Sequence, residues 1–484
     1  MKKLNILIVV IIFSFVSFSF VHGYGFPVQE LNEKNVHQTE LDQQSKEKII
    51  NWVCDKLNEN YVFPEVAKNM EDYVWKQFKE GKYQQVNSIQ ELTSVLTQDL
   101  RSICKDKHLR VQFNPNPPPP DTASDEEKEK LRKERTESER KANFHFKKIE
   151  NLSGNVGYLR FDVFCDALYA GSTAVAAMNF LANCDALIID LRNNGGGSGT
   201  MVQLMLSYFF DEPVHYNNMY LRKRNVTEQN WTSAYVEGPK MTDVDLYVLT
   251  SRNTFSAAEE FTYDLKNLNR ATVVGETTGG GAHPVELHYL RDLNIELKVP
   301  FGRSFNPKTG LNWEGIGIEP NVKTSKEKAF DTAYTLALKN LYEKSEEAQK
   351  EILKWKLEYQ EALLNPVAVD SEILKSYAGQ YGPVRITFDE GELYLLEPGE
   401  SEFKRLCALS ETLFVIDGNE EIRGQFERDK NGEVVALYGI LSDGSKQRIP
   451  KTKKEPEKPD SAKDNTPRDS AARKSSDKVN DKIF

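Results

Sequence analysis

The run Asp190-Leu191-Arg192-Asn193-Asn194-Gly195-Gly196-Gly197 leaves an apolar stretch, Ala186 to Leu191, and leads into the helical pattern of Thr200 to Phe210. Three glycines let the backbone turn with positive φ and bring bare N–H groups close to a ligand, as a phosphate cradle or an oxyanion hole requires. No Gly-Lys-Ser/Thr follows, which weakens the phosphate reading; a plain tight turn would use the same residues. The segment Thr250 to Glu259 again passes from strand to helix and puts Ser256 in the first turn. A serine there exposes its hydroxyl at the carboxyl end of the strand and aims the Ala257 N–H at whatever the hydroxyl attacks. An N-cap serine has the same spacing.

A serine hydroxyl is a weak nucleophile at neutral pH and needs a base. Of seven histidines, His108 follows Asp106 where a helical region ends, and His283 sits in Thr277-Thr278-Gly279-Gly280-Gly281-Ala282-His283-Pro284. A lysine is the third option, but none occurs from Gly275 to Leu297.

Around these residues the chain divides by pattern. Helical periodicity over 45–111 is set by Ile49, Ile50, Val53, Cys54 and Leu57, by Val66 to Phe78 after Pro64, and by a third run opening on Ser88-x-x-Glu91. It predicts a small helical domain. The 112–154 interval is Pro-rich and then highly charged, with 14 charged residues among the 18 from Ser124 to Lys141, and reads as an exposed connection. From 155 to 325 strand-like runs (Val156 to Phe161, Ala186 to Leu191, Leu246 to Thr250, Thr272 to Gly275, Ile295 to Val299) alternate with helical ones, which predicts an α/β core. A helical linker over 326–370, an accessory β domain over 371–450 with short alternating strands, and a disordered tail over 451–484 complete the chain.

Together the motifs resemble the C-terminal-processing (tail-specific) serine peptidase family. The carrying residues are Asp190 to Gly197, Thr254 to Glu259, Gly275 to Ala282 and Asn312-Trp313-Glu314-Gly315-Ile316-Gly317-Ile318-Glu319-Pro320-Asn321. Residues 45–111 resemble the helical domain of its branch holding the tricorn core and the interphotoreceptor retinoid-binding protein modules. The resemblance implies a crotonase- or ClpP-like α/β core. It also implies Ser256 as nucleophile, His108 as general base, Glu314 as the acid that orients it, and an oxyanion hole from the Ala257 and Gly196 N–H groups. Two departures stand out: the dyad branch's lysine is missing from Gly275 to Pro284, and Lys107 stands where tricorn-like members have a serine. The implied activity is hydrolysis of proteins or peptides through an acyl-enzyme, with no cofactor and no metal. The competing class is a non-catalytic module binding an apolar, retinoid-like ligand on the same scaffold.

Composition narrows the partners. With 63 Lys+Arg against 73 Asp+Glu over 484 residues there is no basic face, which argues against nucleic acid. Five scattered cysteines show no paired metal or redox spacing. Lys2 and Lys3, the apolar run Leu4 to Phe20 and Gly23 read as a signal peptide over 1–23, hence export to a periplasm or the cell exterior; a membrane anchor is the other reading. No other segment is apolar enough to suggest an integral membrane partner.

Overall fold

The computed structural model describes residues 41–120 and 122–452. The expected signal segment and all but the first two residues of the 451–484 tail lie outside the described residues. Among the described residues no helix is long and apolar enough to cross a membrane, and no disulfide forms.

One compact unit comprises the described residues up to Lys105 with Leu109–Pro117 and Glu286–Val299. Its helices are α1 (Gln43–Asn60), α2 (Pro64–Lys79) and α3 (Ile89–Cys104). Ile49, Ile50, Val53, Cys54 and Leu57 are buried along α1, as their 3.6-residue spacing dictates. Ser88 caps α3 by accepting the Glu91 N–H at 3.2 Å. The strand expected at Ile295 to Val299 forms but does not join the parallel sheet. It is β10 (Ile295–Pro300), antiparallel to β1 (Arg110–Phe113) and flanked on its other side by β9 (Val285–Leu290).

The second unit holds Asp106–His108, Pro118–Val285 and everything from Pro300. Its central sheet runs β12 (Val322–Lys323), β8 (Ala271–Gly275), β7 (Asp245–Thr250), β4 (Ala186–Asp190), β3 (Val156–Phe161), β2 (Phe146–Leu152). All neighbours are parallel except β2 and β3. Thus part of the stretch expected as a bare connection supplies the antiparallel edge strand, its exposed Lys147 and Lys148 suiting an edge. Successive residues of a strand face opposite sides. Leu187, Ile189, Leu246 and Val248 pack on α5 (Ala167–Leu181), α6 (Gly199–Ser207) and α7 (Ala257–Asn267), while Ile188, Tyr247 and Leu249 pack on α8 (Ala329–Lys344). The region read as a helical linker therefore provides the second layer of the core, through Ala329, Ala333, Ala337 and Leu338. This is the α/β class expected.

The register aligns Asp190 with Leu249 and Thr250 with Gly275, so the loops after β4, β7 and β8 emerge together at the carboxyl ends of the strands, where open α/β sheets bind ligands. Beside them lies a small antiparallel sheet, β11 (Gly302–Phe305), β5 (His215–Leu221), β6 (Val226–Trp231). Further along, α9 (Glu347–Leu364) leads to an eight-stranded antiparallel sheet in sequential order, from Gly379–Tyr381 to Lys446–Pro450, with Tyr377, Tyr381, Phe414 and Phe426 in its core.

Candidate active site

Ser256 stands immediately before α7 with φ +56° and ψ −123°, outside the regions a residue with a Cβ normally occupies. Such strain costs on the order of 1–3 kcal/mol and persists only where the surroundings impose it. Here they do. Thr254 Oγ1 donates to the Leu191 carbonyl (2.8 Å), Ser251 Oγ to the Arg192 carbonyl (2.6 Å), and the Phe255 N–H to the Asn194 carbonyl (3.1 Å), which fastens the serine turn to the glycine turn. Asp190 anchors that turn from below, accepting from Tyr158 Oη and from two nitrogens of Arg192. A Cβ on Gly196 would lie 2.7 Å from Ser256 Cβ and 2.9 Å from the Ala257 nitrogen, so only glycine lets the two turns meet.

The Gly196 N–H, expected as an oxyanion donor, donates instead to Asn194 Oδ1 at 2.9 Å. The next residue is placed differently. Phe164 N–H bonds the Gly196 carbonyl and Ser198 N–H bonds the Phe164 carbonyl, a parallel bridge that turns the Gly197 N–H away from Phe164. Gly197 lines a cavity of about 300 Å³ together with Ser256, Ala257, Glu260 and His283.

Glu259, three residues after the serine, ties the site together. Its carboxylate accepts from the Ser256 N–H (3.0 Å), Thr278 Oγ1, and the Gly280 and Gly281 N–H groups (2.7 and 2.8 Å). Burial still raises its pKa against these donors. The Ser-x-x-Glu spacing is a capping-box signature, so this link was open to sequence reading.

The two candidate histidines converge on one carboxylate. Buried Asp106 receives His283 Nδ1 on Oδ2 at 2.6 Å, and its Oδ1 accepts the His108 N–H at 2.9 Å and lies 3.9 Å from His108 Nδ1. Burial works against an ionised Asp106, but the His283 hydrogen bond and the charges of both histidines hold its pKa below the usual range. The His108 ring packs on Phe255, the residue before Ser256, with centroids 4.6 Å apart. Glu314 lies in the same group: its Oε2 accepts the Ala282 N–H (2.6 Å) and lies 3.6 Å from His283 Nδ1, and a ligand atom of Glu314 lies within 4.8 Å of one on Asp106 and one on His108. Its Oε1 is buried with no hydrogen-bond partner among the described residues. Lys107 donates to the Gly279 carbonyl. Ser256, Ala257 and the glycine turn are thus brought together, as are His108 and Glu314. Asp106, Glu259 and Glu260 were not among the residues expected to act, and His283 was a candidate base that the family resemblance did not select.

Burial and the Asp106 charge push the Glu314 carboxyl up to about 7, and burial does the same to Glu260 on the cavity wall. Asp264, one helical turn further on, is raised well above its ordinary value by burial and by Glu260. A carboxyl whose folded pKa exceeds its unfolded one binds extra protons in the folded state, so its stabilisation is full below about 4.5 and is lost as pH rises through about 7. Asp106 acts in the opposite sense, but only below about pH 4. The melting temperature should therefore fall between pH 5.5 and 8, and Glu260→Gln should flatten the slope. Scanning fluorimetry across that range checks this; a rising curve contradicts it.

Residues 155–324 match the model of peptidase family S41, and residues 40–147 match that of the N-terminal domain of peptidase S41 in eukaryotic IRBP, together more than half the chain. A probable CtpA-like serine protease of Staphylococcus aureus is 28% identical over 187 residues, 38% of this chain and 36% of that protein. The carboxyl-terminal-processing protease of a Synechocystis species is 31% identical over 138 residues, 28% of this chain and 31% of the relative. The chain thus spans about a third of the length of these curated relatives. Among solved structures, a lipoprotein from Streptococcus agalactiae aligns with a TM-score of 0.42 at 16% identity, covering 61% of this chain and 96% of that one.

Proposed function

Starting from a chain that belongs to peptidase family S41, we propose that it is an exported serine endopeptidase that hydrolyses proteins or peptides through an acyl-enzyme. The observation that carries this reading is Ser256, held at positive φ at the head of α7 on a cavity wall shared with Ala257, Gly197 and His283. Casein hydrolysis by the wild-type protein, absent from Ser256→Ala, tests it.

In this reading Ser256 Oγ attacks the scissile carbonyl as its proton passes to His108. The oxyanion is met by the N–H groups of Ala257 and Gly197. The same histidine then protonates the leaving amine and activates the water that releases the acyl group. Asp106 and Glu314 hold the imidazoles in orientation. His108 is selected by its place in the motif and its packing on Phe255; the reading with His283 as base draws on its place in the cavity wall and its bond to Asp106. A carrier of apolar ligands fits less well, because Thr200, Gln203, Asn230, Glu260 and Ser304 give the cavity a polar wall.

Glu260 also sets a preference. It lies one helical turn beyond Ser256, its Oε1 held by Asn217 Nδ2 at 2.7 Å, in a cavity also lined by the largely apolar side chains of Tyr216, Met219 and Trp313. No ion-pair partner faces it among the described residues. An aliphatic stem ending in a cation satisfies both parts of such a pocket. Peptidyl amides with lysine before the scissile bond should be cleaved with a kcat/KM at least about tenfold above their norleucine counterparts, a ratio that collapses in Glu260→Gln. Equal use of the two by the wild-type protein contradicts the assignment.

A further inference from the structure

Three side chains with no part in the chemistry above come together around Cys165, the residue after Phe164. Glu139 is in the last turn of α4 (Asp125–Lys141), His145 follows it in a short turn, and Cys165 precedes α5. His145 Nε2 lies 2.8 Å from Glu139 Oε2, and Cys165 Sγ lies 3.6 Å from the same oxygen. One ligand atom from each of the three falls within 4.8 Å of the others. Two ligands of a tetrahedral zinc, with bonds of about 2.3 Å to sulfur and about 2.0 Å to nitrogen or oxygen, stand about 3.3–3.5 Å apart. The Glu139 to Cys165 spacing already matches, and the Glu139 to His145 spacing needs to open by about half an ångström.

We propose that Glu139, His145 and Cys165 form a binding site for a divalent transition metal, zinc by the chemistry of its donors, with the fourth position left to water. A thiolate, an imidazole and a carboxylate are the donor set zinc takes.

The backbone supports a purpose for the cluster. Asn143, Phe144 and His145 are three consecutive non-glycine residues in the left-handed region, with φ of 51°, 47° and 62°. That region is disfavoured for residues with a Cβ, and such residues seldom occur in series. The turn carries the chain back so that the His145 ring faces the end of α4, while Phe144 anchors in the core. The helix itself buries no side chain, so little besides this end holds it. In the absence of metal, burial and the Glu139 charge push the Cys165 thiol up to about 12, and a bound cation reverses that by taking the thiolate.

The test is titration of the purified full-length chain, stripped with chelator, using cobalt(II) and then zinc. The proposal expects one cobalt per chain with a thiolate-to-cobalt charge-transfer band, displacement by one equivalent of zinc, and a zinc-dependent rise in melting temperature. Cys165→Ser should abolish the band and the thermal shift. Glu139→Gln, on an exposed helix and nearly isosteric, should weaken zinc at least tenfold and serves if the cysteine variant fails to fold. A band that survives in Cys165→Ser, or zinc binding equal in the wild type and Glu139→Gln, overturns the proposal. None of these readouts depends on peptidase activity.

Discussion

Ser256→Ala should lose about 10⁴–10⁶ of kcat on a casein-like substrate, because under the proposed mechanism it removes the atom that would form the acyl-enzyme and leaves only binding and the oxyanion donors. The backbone supplies a second readout that separates catalysis from folding. Ser256 is held at φ +56°, a strain that glycine does not feel. Ser256→Gly should be as inactive as Ser256→Ala yet more stable than wild type by roughly 1 kcal/mol, the strain released less the extra entropy of an unfolded glycine. Denaturant titration of the inactive variants measures it. A Ser256→Gly protein less stable than wild type would mean that the serine turn is a structural feature and not a strained nucleophile.

His108→Ala should also cost about 10⁴ or more in kcat, and the double variant with Ser256→Ala little beyond either alone, since members of one catalytic unit are strongly non-additive. His283→Ala should cost far less, of the order of 10- to 100-fold, as a residue that positions Asp106 would. The wild-type kcat/KM should rise with pH as the base loses its proton, because a general base accepts a proton only when neutral. Glu314, held at about 7, titrates near neutrality, so Glu314→Gln should reshape this limb as well as slow the reaction. If His283→Ala proves the dead variant and His108→Ala the mild one, the base is His283 and the Asp106–His283 bond orients it.

The four inner strands β3, β4, β7 and β8 and the serine turn were legible because their signals are local: Val156–Phe161 is a mostly apolar run and Ser256 opens a helix directly after another such run. The β5–β6–β11 sheet was not. His215–Leu221 mixes asparagine, histidine and tyrosine in buried and half-buried positions and shows no alternation to read. Ile295–Pro300 was legible as a strand but not in its partner, because antiparallel pairing with Arg110–Phe113 is fixed by contacts some 185 residues apart in sequence. The site divides the same way. That Asp106 binds His283 follows from a separation of 177 residues, which no spacing rule reaches. Gly196 and Gly197 are indistinguishable in sequence, and only the folded turn shows that the Gly196 N–H donates to the Asn194 side chain.

The most direct measurement is covalent modification of the purified protein by a serine-directed fluorophosphonate, with the adduct located by mass spectrometry and residual peptidase activity followed in parallel. The account predicts that inactivation tracks a single adduct on Ser256. Loss of activity with the adduct on another residue, Ser256 remaining unmodified, would contradict it.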